Sequence, residues 1–512
     1  MRSRVAAILF LTLGGLLSAA PEPRSPQAAA KSRAEIERES RYYALETFPI
    51  PEGLKLEASG LASLPDGRLA IAIRKGEVWI LDKPTQDKPT LQNTAFTRFA
   101  SGLHEPLGLA WHDGALYTTQ RSEVTRLRDT NGDGAADEYL TAAKGWGVSG
   151  NYHEYAYGPV FDRKGDMWVT LNCTIGKAPV GDGFEEVKSF PWRGWSLRRS
   201  AGGPLLPISA GLRSPSGLGT NHLGDVFATD QQGNWWGTNP LLHLKPGIFH
   251  GHADSLIDCE RPESPVVHPG KLPSGLTTAQ AIDQVPGYAP PAVWFPYNKV
   301  GASPCGFSCN MTGGKFGPFE NQLFVGEFTY AFVARVFLEK IDGEYQGACF
   351  RFRSGMKSGV FRTHFLDDGS LILGETNRGW NSIGTRSYAL ERLRWTGKMP
   401  FEMKTIEAKP DGFLVTFTKP VDPKTAADPD SWSLSSYTYK YQKAYGSPEM
   451  DPKPVQITQV TTSRDHLSVH LACTDLRRGY VHELHADGVR AAEGEPLLHA
   501  DGYYTLNRVP KK

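Results

Sequence analysis

Leu64-Pro65-Asp66-Gly67-Arg68-Leu69-Ala70-Ile71-Ala72-Ile73-Arg74-Lys75-Gly76-Glu77-Val78-Trp79-Ile80-Leu81 holds two strands and two turns in one short stretch. Asp66-Gly67 supplies a tight turn, and the apolar run Leu69–Ile73 is too short for a helix. Lys75-Gly76 turns the chain again into Val78–Leu81. The unit recurs. Trp111-His112-Asp113-Gly114 leads into Ala115–Thr119 and Val124–Leu127. Phe161–Gly165 leads into Asp166–Leu171 and Trp195–Arg198. Asn221–Gly224 leads into Asp225–Thr229 and Leu241–Leu244. Phe319–Gln322 leads into Leu323–Glu327 and Ala334–Leu338, and Leu366–Gly369 into Ser370–Gly374 and Tyr388–Leu393.

Most starts lie about 50 residues apart, the length of a four-stranded blade with its loops. The reading is all-β: a six-bladed β-propeller over residues 41–395. The gap between the fourth and fifth copies is nearly double and holds many prolines, so an insertion is expected at about 246–300, with a hidden seventh blade as the alternative. After Trp395 the pattern changes. Phe413–Phe417, Val455–Val460, Leu467–Leu471 and Tyr480–Leu484 alternate between Pro, Asp and Gly turns. Residues 396–512 therefore read as an immunoglobulin- or fibronectin-like β-sandwich.

The start of the chain reads as an address. Arg2 and Arg4 precede an apolar run from Val5 to Leu17, and Ser18-Ala19-Ala20 follow. Residues 1–20 are expected to be a cleaved signal peptide, giving a secreted or periplasmic protein. Residues 21–40 read as a linker with one short helical turn near Arg33–Arg38. Charge is balanced, with 56 Lys+Arg against 55 Asp+Glu, so nothing pulls the chain onto nucleic acid. No later stretch is long and apolar enough for a membrane span. Export permits disulfides among the six cysteines. Cys305 or Cys309 pairing with Cys259 or Cys349 is one expectation. No Cys-x-x-Cys-His is present, so no covalent haem is expected.

Asp129-Thr130-Asn131-Gly132-Asp133-Gly134-Ala135-Ala136-Asp137-Glu138 spaces oxygen donors as a loop that wraps a hard cation does. Asp129, Asn131, Asp133, Asp137 and the Ala135 carbonyl would hold structural Ca2+. The alternative is an Asp/Gly-rich turn without metal. His153 and Arg213 each precede a repeat, on loops at one rim. A neutral imidazole there can take a substrate proton, and a guanidinium can hold an oxyanion. A rim histidine bonded to backbone and an arginine capping loop carbonyls are the plainer readings. Arg362 precedes the sixth repeat, and equivalent positions around a ring converge on its axis. Asp230, Gln231 and Asn234, beside Trp235-Trp236, offer polar groups and a stacking surface for a sugar or planar cofactor. His250-Gly251-His252 offers two imidazoles with no defined third ligand.

Ile208-Ser209-Ala210-Gly211-Leu212-Arg213-Ser214-Pro215-Ser216-Gly217-Leu218 resembles the Gly-x-Arg-Asn-Pro-x-Gly-Leu signature of the soluble quinoprotein glucose/sorbosone dehydrogenases. His153, followed by Gly158-Pro159 and a strand, resembles that family's catalytic-histidine segment. A nearer likeness is to the propeller domains of secreted "membrane-bound dehydrogenase"-type proteins of planctomycetes and verrucomicrobia. It rests on Thr312–Phe319, Tyr345–Cys349, Thr376–Trp380 and Tyr503–Arg508. The resemblance implies a sugar or polyol oxidoreductase using pyrroloquinoline quinone (PQQ) with Ca2+, and a separate electron carrier such as a cytochrome. His153 would take the hydroxyl proton during hydride transfer, Arg213 would stabilise the oxyanion, and Arg362 would meet a quinone carboxylate, with Asp230, Gln231 and Asn234 in the cofactor site. Two departures stand out. Ser214 replaces the signature Asn, and Phe328-Thr329-Tyr330 fills the stretch where the family has its cofactor lysine. A propeller that binds a glycan or a partner protein without catalysis is the other class of reading.

Overall fold

The repeat works because each apolar strand buries both faces. Leu69–Ile73, Met167–Leu171, Val226–Thr229 and Leu323–Glu327 are buried along their whole length. Strands of that kind need a layer on either side, which a ring of sheets supplies. The structure is a computed structural model. It describes residues 26–175, 178–180, 183–185, 190–379 and 381–511. The expected signal peptide lies outside them, as does Trp380. Strands dominate and helices are few. Among the described residues no helix is long and apolar enough to cross a membrane.

Five four-stranded antiparallel sheets begin at Ala58–Ser63, Leu109–His112, Ala156–Phe161, Gly217–Thr220 and Pro304–Cys309. A sixth begins at Val360–Phe365. These innermost strands touch in cyclic order, the sixth returning to the first, so the sheets form a closed ring. The Asp-Gly turns read from the sequence join the innermost strand to the second, and each sequence-read strand pair is the second and third strand of its sheet. Closure comes from the chain's early residues. Tyr43–Thr47 forms the outermost strand of the sixth sheet, paired with Tyr388–Trp395.

Two expectations are corrected and a third is located. Residues Pro26–Ser40 are an α-helix, not a linker with one turn. Its last turn is held down because Glu39 is buried against Arg353 and His499, a tertiary anchor that local sequence cannot show. The segment expected to be an insertion runs between the third and fourth strands of the fourth sheet. Asn239–His243 is the third strand and Val293–Phe295 the fourth, and among the described residues no further four-stranded sheet stands between them. All six cysteines are free thiols. Cys305 and Cys349 are buried in separate strands, their thiols directed at the Ser303 and Trp294 carbonyls.

The C-terminal segment builds two four-stranded sheets. One holds Met403–Lys409, Gly412–Phe417, Ser468–Cys473 and Ile457–Thr462. The other, Asp501–Leu506, Tyr480–His485, Ser433–Thr438 and Met450–Pro454, is not free-standing. Its strand Asp501–Leu506 pairs with Glu344–Ser354, the outer strand of the fifth sheet, so both form one eight-stranded sheet. Between the layers lies a core that includes Phe413, Val415, Val469, Leu471, Leu484 and Tyr504. His499 locks this layer to the ring. Its ring nitrogens meet Glu402 at 2.6 Å and Glu39 at 3.0 Å. Burial alone would lower its pKa, but the two carboxylates hold it up to about 10.

Candidate functional site

His153 sits on the loop before the third sheet, and that loop is pinned at every turn. Asn151 Oδ1 accepts from the His153 N–H at 2.9 Å, and Asn172 Nδ2 donates to the His153 carbonyl at 2.8 Å. The buried Glu154 accepts from the Ser149 N–H and from the hydroxyls of Ser149 and Thr174. Burial pushes the His153 ring down to about 4, helped by the charges of Arg213 and Arg121. The imidazole is therefore neutral and able to accept a proton.

Arg213 follows Gly211-Leu212 on the loop before the fourth sheet. Asp230, just after that sheet's second strand, fixes the loop by accepting from the N–H groups of Arg213 (2.7 Å), Ser214 (2.6 Å) and Gln231 (2.7 Å). Burial holds the Asp230 carboxyl up at about 6. The Arg213 side chain lies against Gly233, where a Cβ would collide with its Nε. The guanidinium stands 5.5 Å from the centroid of the Tyr445 ring. Its Nε is buried and without a hydrogen-bond partner among the described residues. A buried charged donor left unpaired costs free energy, and the described residues offer this Nε no acceptor.

The insertion and the C-terminal layer both reach the neighbourhood of Arg213. His250 and His252 donate their N–H groups to the Ala210 and Gly211 carbonyls at 2.8 and 3.0 Å, which lays the insertion beside the Arg213 loop. Trp235 N–H donates to the Gln442 carbonyl, Asn234 Nδ2 to that of Lys443, and Gly446 N–H to that of Gly233. These bonds bring Tyr445, 58% exposed, from the C-terminal layer to the side of Arg213.

The sequence-predicted residues divide accordingly. His153 and Arg213 lie near enough to one another for the guanidinium charge to reach the imidazole. Arg362 stands elsewhere, because it lies within the innermost strand Val360–Phe365 and not ahead of it. Its guanidinium donates to the carbonyls of Ser59 (2.8 Å), Ser216 (2.9 Å), Phe361 (2.9 Å) and Leu107 (3.3 Å). Burial lowers it only to about 10, so it stays charged at neutral pH. From Arg362 a cavity of about 490 Å³ runs past Phe161, Thr220 and Phe365, away from the His153 loop. Gln231 is tied to Ser216, Pro304 and Ser303. Trp235 and Trp236 are buried against Tyr441 and Trp294, packing and not a stacking platform.

The loop from Asp129 is exposed and tightly turned. Its oxygens close local turns: Asp129 accepts from Gly132 and Gly134, Asn131 from Asp133, Asp133 from Ala135, and Asp137 from Thr130. The three carboxylates do not form a group whose ligand atoms lie within 4.8 Å of one another. Asx turns hold this exposed loop in shape.

Sequence reasoning missed Cys173, Asp254, Lys443 and Tyr445, each of which stands near Arg213 or Asp254. Position is a usable signal for one class of support residue. Asp230, Glu327 and Glu375 each sit at or just beyond the end of a second strand and accept N–H groups from their sheet's preceding loop.

The family model of the domain of unknown function DUF7133 matches residues 74–349. No curated protein matches the chain. Among solved structures, the chain is similar to a putative oxidoreductase (glucose dehydrogenase) from Thermus thermophilus, at 19% identity and TM-score 0.48, covering 69% of this chain and 99% of that one. It is also similar to the PQQ-bound aldose sugar dehydrogenase of Streptomyces coelicolor, at 17% identity and TM-score 0.46, covering 69% and 98%. The apo soluble aldose sugar dehydrogenase of Escherichia coli gives 14% identity and TM-score 0.47, covering 69% and 99%.

Proposed function

The chain belongs to the DUF7133 family, and from that footing we propose that its ring, a six-bladed propeller, carries a sugar- or polyol-directed oxidoreductase site at His153 and Arg213. One observation carries the reading: a buried guanidinium with an unpartnered Nε whose charge reaches a neutral imidazole. His153 takes the proton of a substrate hydroxyl, and Arg213 holds the negative oxygen that results. Asp230 and Asp254 offset the arginine's charge before substrate arrives.

The resemblance assigns the oxidising power to PQQ. The residues present do not fit that tricarboxylate. Arg362, Asp230, Gln231 and Asn234 spend their side chains on protein partners, which leaves Arg213, among these described residues, as the cation with an idle donor. No step is therefore routed through the quinone. The same observation favours a second reading, in which the site binds a glycan or sugar acid without chemistry.

One experiment separates the two. Full-length protein is assayed for dye reduction over a sugar and polyol panel, with and without PQQ and Ca2+, alongside calorimetric binding of the same compounds. Dye reduction that does not depend on added PQQ and that His153→Ala abolishes is the expected result. Binding without reduction in the parent would transfer the site to the second reading. A calcium role for Asp129–Asp137 rests on spacing alone. The expected sign is a Ca2+-dependent rise in melting temperature that chelator and Asp129→Ala each remove.

A further inference from the structure

Beside Arg213 lies a donor set that the proposed oxidation does not use. The Cys173 thiol, a ring nitrogen of His252 and a carboxylate oxygen of Asp254 all lie within 4.8 Å of one another. Two separate parts of the chain bring them there. Cys173 follows the second strand of the third sheet, and its N–H donates to the Arg213 carbonyl at 2.9 Å. His252 and Asp254 come from the insertion, at the start of the short 3-10 helix Ala253–Glu260. The approach is close. Gly211 has φ +90°, and a Cβ on it would meet the Gly251 nitrogen at 2.5 Å. The Ser255 hydroxyl joins the two segments, accepting from Gly211 N–H at 2.8 Å.

Cys173 and His252 are buried, and Nδ1 of His252 has no partner among the described residues. A buried imidazole nitrogen left unmatched costs free energy. Filling the space between the three donors with a cation removes that cost.

We propose that Cys173, His252 and Asp254 bind a zinc-type divalent cation, with the remaining coordination position facing His153 and Arg213. Thiolate and imidazole select a borderline-soft ion over calcium or magnesium, which take oxygen shells. Three protein ligands leave a fourth position for water or a substrate oxygen. Thiolate and carboxylate together cancel the ion's double charge, so the centre is neutral beside Arg213. Binding releases the thiol proton to solvent.

The test reads the ion directly and does not depend on sugar oxidation, so its failure is distinguishable from failure of the oxidoreductase reading. Full-length protein is stripped with chelator and titrated with Co2+, then with Zn2+ against a chromophoric competitor. The expected result is a thiolate-to-cobalt charge-transfer band that saturates at one ion per chain. Zn2+ displaces it, and Cys173→Ser abolishes it. A folded parent that shows no such band overturns the proposal. A band that persists in Cys173→Ser belongs to another cysteine and overturns it too. Asp254→Asn lies on the exposed side of the cluster and covers the case in which Cys173→Ser does not fold. Weakened Zn2+ binding is expected there, and unchanged affinity refutes the site.

Discussion

Arg362 lies in an innermost strand and Arg213 on the loop ahead of one, and their surroundings treat the same charge in opposite ways. Arg362 donates to four carbonyls in or beside the innermost strands of the first, second, fourth and sixth sheets. Arg213 has a buried Nε with no partner among the described residues, one flanking aromatic ring, and a glycine where any side chain would collide with it. A guanidinium whose donors are spent ties elements together. One with an idle donor can still take a partner from outside the chain. The difference teaches that charge and a place by the innermost strands do not mark a site; the hydrogen-bond account does.

The largest effect is expected at the spent arginine. Arg362→Met orphans carbonyls in several sheets at about 1–3 kcal/mol each, so denaturant unfolding should show a loss of more than about 3 kcal/mol. A smaller loss would mean that water replaces the guanidinium and that the two arginines differ less than their contacts suggest.

His499 extends the contrast to a second spent charge. It is held by Glu402 and Glu39, with Arg353 also on Glu39. Its folded pKa is raised to about 10 from the usual 6.5. Its contribution is thus complete below pH 6.5 and is lost as pH rises through about 10. Burial raises Glu39, but His499, the Ser354 N–H and Arg353 bring its pKa below the usual value, so its share is lost in acid. Unfolding free energy followed from about pH 6 to about pH 10 should fall by on the order of 3 kcal/mol, and His499→Gln should flatten that slope.

Gly233→Ala tests the idle arginine's seat. The new methyl would run into the Arg213 Nε and must displace it. A stability loss of about 1 kcal/mol is expected, with weaker binding of carboxylated sugars by calorimetry. Arg213→Met sits at the far end of the scale. Stability should change by less than about 1 kcal/mol, because its Nε gives up no internal partner, while sugar-acid binding disappears. A large destabilisation would place Arg213 in the same class as Arg362.

Much of the ring is legible in the sequence, and the reason is local. Asp66-Gly67 and its counterparts fix hairpins between strands close in sequence, so Leu69–Ile73 and Ala115–Thr119 are readable without knowing their neighbours. What escapes is whatever depends on distant partners. The helix Pro26–Ser40 is anchored by His499, and Arg213 borrows Tyr445 from the C-terminal layer. His153 and Arg213 are readable as rim residues because each stands ahead of an innermost strand. Arg362 misleads by the same logic, because the sequence marks its Asp-Gly turn clearly but not that the innermost strand already begins at Val360. Cys173 carries no signal at all, since its companions arrive through an insertion whose path no periodicity encodes.

The strand Tyr43–Thr47 is made early and used late. Its partner Tyr388–Trp395 leaves the ribosome only after five complete sheets, and at roughly 5–20 residues per second the early strand waits many seconds unpaired. It spends that time with one polar edge and several apolar side chains uncovered. The helix just ahead of it, whose buried Glu39 waits for Arg353 and His499, is no protection. The ring is thus a fold whose lock is carried open through most of synthesis. Folding in this protein is a question of keeping one short ribbon unclaimed until its seat exists.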